Sequence, residues 1–144
     1  MIEQDTIKLL RECDAGVQMG VSSIDDVLPH VHDKELKQRL DFAREEHVKL
    51  DRGLQAHLKN CHDDGKDPNP MAQGMSWIKT NVKLAVEDSD NTIASLMTDG
   101  CNMGIKSLSR YLNQYKAADE TSKSIAKHLI ALEERMLVDM RRFL

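Results

Sequence analysis

The chain has 144 residues with 40% apolar and 31% charged side chains, which suits one folded domain with a real core and excludes a disordered one. Its formal charge of −4, without a Lys/Arg-rich cluster, argues against nucleic acid as the main partner. No apolar run approaches the roughly 20 residues needed to cross a bilayer.

The elements follow in order. Leu10, Cys13, Val17, Gly20, Ile24 and Leu28 recur at steps of three and four and predict a first helix from Thr6 to Leu28. Pro29 closes it, because the residue before a proline is pushed out of helical geometry. Asp33 is a good N-cap for a second helix, whose stripe runs Leu36, Leu40, Ala43, Glu46 or His47, Leu50, Leu54 and Leu58. The short link makes the pair an antiparallel hairpin.

From Cys61 to Pro70 the residues are turn formers. Met75, Ile78, Val82 and Ala85 then predict a short amphipathic helix carrying Trp77, which either covers one end of the fold or offers a dimer contact. Asp88, Ser89 and Asp90 offer caps for a third long helix with Met97, Cys101, Ile105, Leu108, Leu112 and Tyr115 on one face. Thr121 is the expected cap of a fourth, with Ile125, Leu129, Leu132, Met136 and Phe143. No stretch alternates as a strand would.

The halves resemble each other. A gap-free shift of 88 lays Cys13-Asp14-Ala15-Gly16-Val17 on Cys101-Asn102-Met103-Gly104-Ile105, and Ala43-Arg44-Glu45-Glu46-His47 on Ala131-Leu132-Glu133-Glu134-Arg135. This is a duplicated helical hairpin. One domain results: hairpin one at about 1–60, a crossover over 61–88, and hairpin two at about 89–144. Two hairpins joined by a long connection make an all-α four-helix bundle with a crossover, as distinct from an up-down-up-down bundle. Glycines at Gly16 and Gly104, with Gly20 nearby, point to close helix approach within the bundle or between subunits, since each costs about 1 kcal/mol against Ala in a helix.

This pattern resembles the ferritin-like superfamily, and is similar to its small bacterial members more than to ferritin itself. The resemblance spans nearly the whole chain. It implies that each hairpin supplies a Glu from its first helix and a Glu-x-x-His from its second, together holding two metal ions, with roughly 33 residues between the two Glu. That spacing links Cys13 to Glu46 and Cys101 to Glu134. Both first-helix Glu positions therefore carry Cys, and the His positions carry Lys49 and Leu137, so the standard di-iron site is lost or rebuilt.

Two readings of the remainder stand. Cys13, Glu46, Cys101 and Glu134 form a rebuilt centre for one soft or borderline metal, zinc or else iron. Alternatively the cysteines are small core fillers, and Glu46 pairs with Lys49 or Arg135. Turning the second helix by one residue would put His47 inward and leave the glutamates at the rim. His47 and Asp51 match one fragment of a hemerythrin-type site, but the required His-x-x-x-His pair is missing. His57, Cys61 and His62 close the second helix as a polar end or a surface ligand set. Glu12 and Asp14 are expected to be solvated.

The acidic, non-apolar start of the chain points to a cytosolic protein, and three Cys without a CxxC pair to free thiols. No Ser/His/Asp arrangement or phosphate-binding loop supports another enzyme class. The leading expectation is a non-catalytic interaction or structural bundle, as a homodimer, with no nucleic-acid or membrane partner. The alternatives are a metal-binding protein with the rebuilt Cys/Glu centre, a residual ferritin-like iron-binding or oxidoreductase role, and a reversible Cys13–Cys101 disulfide.

Overall fold

In a computed structural model of the chain, helix α1 covers Ile2–Val27 and runs into a 3-10 turn over Leu28–His30, with Pro29 at its start. The residues described are 2–61 and 89–144; the expected crossover helix with Trp77, the Asp88 cap and His62 lie outside them. Helix α1 begins four residues before the sequence expectation and ends one before it. Asp33 caps α2 (Lys34–Asn60) as predicted: its Oδ1 accepts from the amides of Glu35 at 2.8 Å and Leu36 at 3.1 Å.

Helix α3 covers Asp90–Gln114 and α4 Glu120–Met140, followed by a 3-10 turn over Arg141–Phe143. Ser89 stands at the start of α3 but gives no side-chain bond to the helix backbone. The cap of α4 is Asp119, which accepts from the Ser122 amide at 2.8 Å; the expected Thr121 lies inside the helix and is exposed. Among the described residues there is no strand, and no helix is long and apolar enough to cross a membrane.

Displacement of the cap by two residues changes the register of the repeat. Along α2 the buried positions include Leu36, Leu40, Ala43, His47, Leu50 and Leu54. Along α4 they are Ser122, Ala126, Leu129, Glu133, Met136 and Met140, each 86 positions further on. The first helices keep the shift of 88, with Thr6, Leu9 and Cys13 buried opposite Ala94, Met97 and Cys101 in the count. The second hairpin thus turns in two fewer residues, and a single gap-free shift holds for the first helices alone.

Contacts between the hairpins show the helix directions. Asp90, at the start of α3, accepts from the amides of His32 at 2.8 Å and Asp33 at 2.9 Å in the α1–α2 turn. In return, Asp5 and Thr6 near the start of α1 accept from the amides of Ala117 at 3.0 Å and Asp119 at 2.8 Å in the α3–α4 turn. Arg39 on α2 pairs with Asp139 on α4 at 2.9 Å, and Arg142 pairs with Glu35 at 2.6 Å. Helices α1 and α3 are therefore antiparallel, as are α2 and α4.

Around the bundle the order is α1, α2, α4, α3, with α1 and α4 also touching across one diagonal. Helices α2 and α3 occupy the other diagonal and run parallel. Since α2 has 27 residues, its end lies about 40 Å from the end at which α3 starts. An up-down-up-down bundle would have placed α2 and α3 side by side.

The core is aliphatic and falls into two clusters. One gathers Ile24, Leu36, Leu40, Ile93, Met97 and Cys101 at the α1–α2 turn end; the other gathers Leu10, Cys13, Val17, Leu54, Leu108 and Leu129 toward the opposite end. Polar groups are buried between and beside them.

Candidate functional site at the bundle centre

His47 lies on the inner face of α2 among the leucines and is fully buried, at 0% exposure. Its Nδ1 is 2.6 Å from the Ala43 carbonyl oxygen, one turn back. A carbonyl can only accept, so Nδ1 carries a proton and donates. Nε2 then points to Oε1 of Glu133 on α4, 3.6 Å away, with no closer partner. Glu133 is itself 7% exposed. The pair occupies the same place in the second helix of each hairpin, 86 residues apart.

Burial pulls the imidazole toward the neutral form, but Glu133 and the Ala43 carbonyl outweigh it and hold the His47 pKa above its ordinary value. The contact with Glu133 thus favours the protonated imidazole over the neutral one. Each member of the pair is given room by a glycine. A Cβ on Gly20 would lie 3.0 Å from Cδ2 and 3.1 Å from Nε2 of His47, and one on Gly104 would lie 3.3 Å from the Glu133 carboxyl. A Cβ on Gly16 would come within 3.3 Å of Leu129. All three glycines therefore serve close packing inside this chain.

Of the two helix phases open in the sequence, the structure takes the one with His47 inward. Glu46 is half-buried and 3.7 Å from Lys49, and Glu134 is exposed. Cys13 and Cys101 are both buried, but belong to different core clusters. The four residues Cys13, Glu46, Cys101 and Glu134 are not brought together. Among the described residues no three His, Cys, Asp or Glu side chains are grouped to hold a metal ion.

The thiols sit in environments that disfavour the thiolate. Burial, then Glu12 and Asp14, push Cys13 up to about 12. Burial, then Glu133, push Cys101 up as well, and its sulfur lies 4.0 Å from that of Met136. Neither is a nucleophile near neutral pH.

A second polar cluster lies at the α1–α2 seam, where the sequence pattern gave no warning. Asp14 is not solvated as expected but 6% exposed. It accepts from Gln18 Nε2 at 3.0 and 3.1 Å and from Gln55 Nε2 at 2.9 Å. The same Gln55 nitrogen is 3.5 Å from Asp51 Oδ1, so one neutral amide bridges two carboxyls. Burial, then the neighbouring Asp14, push Asp51 up to about 6. Only the approach of helix α2 creates this pairing, which is why an i, i+3 or i, i+4 search on one helix misses it.

His57, expected as a helix-end polar group or surface ligand, instead reaches α4, with Nε2 2.9 Å from Oδ2 of the cap residue Asp119. Burial opposes ionisation of Asp119, but Ser122 and His57 outweigh it and lower its pKa. Comparison with protein-family models, with curated proteins and with solved structures gives no match.

Proposed function

We propose that this chain is a ferritin-like bundle whose metal-holding centre has been replaced by a buried His47–Glu133 pair, and that it serves as a non-catalytic binding or structural protein. The observation that carries the reading is this pair. It stands at matching positions of the two hairpins, one residue from Glu46 and Glu134, where the resemblance would place metal ligands, and it sets the imidazole 3.6 Å from the carboxyl. The order α1, α2, α4, α3 with α2 and α3 parallel across a diagonal supports the ferritin-like part. The high-lying thiol pKa values speak for packing over redox chemistry at Cys13 and Cys101.

A homodimer belongs to the same reading. Phe42 and Val138 are 41% and 55% exposed, and Phe42 lies under Arg135 one turn before Val138. The test of the central claim is metal titration of protein purified without added metal, followed by elemental analysis and thermal melting. Iron(II) and zinc should leave Tm unchanged, since a ligand that binds the folded state must raise it. About one zinc or two iron per chain, with a raised Tm lost on replacing Glu133, would overturn the reading in favour of a rebuilt site.

A further inference from the structure

Cys101 on α3 and Met136 on α4 are both buried, and their sulfurs face each other 4.0 Å apart. Glu133, one turn before Met136 on the same buried face of α4, reaches the Cys101 thiol as well as the His47 ring. A thiol, a thioether and an imidazole are thereby gathered round one carboxyl. The imidazole nitrogen aimed into this group, Nε2, is buried without a hydrogen-bond partner, and Glu133 Oε1 at 3.6 Å is too far to serve as one. A buried polar atom left in this way is costly unless something binds it.

We propose that Cys101, Met136 and His47 hold one copper(I) ion, with Sγ, Sδ and Nε2 as its three ligands. The donor set selects the ion. Thiolate and thioether favour copper(I), and imidazole suits copper too, whereas hard ions need carboxylate and water. Zinc is bound by thiolate, imidazole and carboxylate, so Met136 adds nothing for it. Among the described residues no three His, Cys, Asp or Glu side chains are grouped for a metal; the thioether is what completes this set. The spacing agrees. Two sulfurs in a trigonal arrangement, each at the roughly 2.3 Å of a metal–thiolate bond, stand about 4 Å apart.

The proton balance closes within the group. Burial and Glu133 keep the free thiol protonated, and a coordinating thiol is deprotonated outright. Starting from the protonated imidazole, copper(I) displaces the Sγ and Nε2 protons. Glu133 accepts one, the other leaves to solvent, and the centre stays neutral with no oxidant or reductant consumed. The way in lies at Gly104. Glu133 keeps 10% of its side chain exposed and packs against this glycine, where a Cβ would come within 3.3 Å of the carboxyl. The inference goes beyond the reading of the centre as lost to iron and zinc. Binding of iron or zinc would overturn that reading, and absence of copper(I) only this one.

The test is an anaerobic titration of the full, reduced chain with copper(I) in competition with bicinchoninate. One copper(I) per chain should be taken from the chelator, with a new near-ultraviolet thiolate-to-copper absorption. Cys101→Ser should abolish uptake, and Met136→Leu should weaken it by at least about tenfold. Cys13→Ser and Cys61→Ser should leave it unchanged. Met136→Leu conserves volume and is expected to fold. On the unaltered chain, methyl NMR decides without any variant: the Met136 methyl should shift on loading, and that of the exposed Met103 should stay in place. No uptake, equal uptake by Cys101→Ser or Met136→Leu, loss on Cys61→Ser, or an unmoved Met136 methyl would overturn the proposal.

Discussion

Gly20 of α1 stands directly against the buried ring of His47, so that a Cβ at residue 20 would come 3.0 Å from Cδ2. Helix propensity alone makes Gly20→Ala stabilising by about 1 kcal/mol. Here the ring cannot retreat, since it is fully buried and held by the Ala43 carbonyl. Overpacking of this kind costs about 1–3 kcal/mol and outweighs the gain. Gly20→Ala should therefore lower the urea midpoint, whereas Gly53→Ala, on the same kind of helix but with nothing near its missing Cβ, should raise it. Equal effects at both positions would show that His47 is not packed as described.

The central pair predicts a specific non-additivity. Replacing His47 alone by Leu leaves the Glu133 charge buried without its partner, and Glu133→Leu strands the imidazole in the same way. Each should cost about 3–5 kcal/mol. The double replacement puts two hydrophobic groups together in an aliphatic core and should recover most of that loss. Chemical denaturation of the four proteins in a double-mutant cycle measures the coupling. Additive losses would mean that the two side chains do not meet.

Both perturbed groups at the centre and the seam make the fold prefer mild acid. Asp51 is raised from 3.8 to about 6, so the native state holds its proton more tightly than the unfolded chain does. The stability this brings is complete below about 4 and is lost as pH rises through about 6. His47 is also raised above its ordinary 6.5, so its contribution is complete below that value and disappears as pH climbs through its native pKa. Tm should thus fall from about pH 5 to pH 8 and beyond. Asp51→Asn should flatten the lower part of the fall, and the His47–Glu133 double replacement the upper part.

The sequence reached the bundle and stopped short of its centre for a definable reason. Stripes such as Leu36, Leu40, Leu50 and Leu54 report helix faces directly, because the burial of a leucine follows from its chemistry. The Glu-Glu motif at Glu45-Glu46 and Glu133-Glu134 misled, because an identity of letters was taken to be an identity of position. Two residues missing from the second turn shift α4 by more than half a helical turn, so Glu133 answers to His47, and the counterpart of Glu46 is the half-buried Leu132. At the offset of 86 Leu36, Leu40, Leu50 and Leu54 fall on Ser122, Ala126, Met136 and Met140, so the match is one of burial and not of residue type. Asp14–Asp51 and His57–Asp119 are contacts between helices, which no single-helix periodicity encodes.

The reciprocal ties at the helix starts predict how the two hairpins hold each other. Asp90 accepts two amides that would otherwise lack a helical partner, those of His32 and Asp33, and Asp33 in turn caps α2. Asp90→Ala removes both bonds from the turn while leaving the α2 cap residue in place. Loss of a cap-like acceptor costs about 1–2 kcal/mol. Because the bonds join hairpin to hairpin, the effect should spread across the interface: hydrogen exchange should quicken first at His32 and Asp33, then at Leu36 and Leu40, which pack with Ile93 and Met97 of α3 in one core cluster. Asp90→Asn keeps one acceptor oxygen and should fall between the two. Faster exchange confined to α3, with the α1–α2 turn unchanged, would show instead that Asp90 acts on its own helix and leaves the hairpins to be joined by their cores.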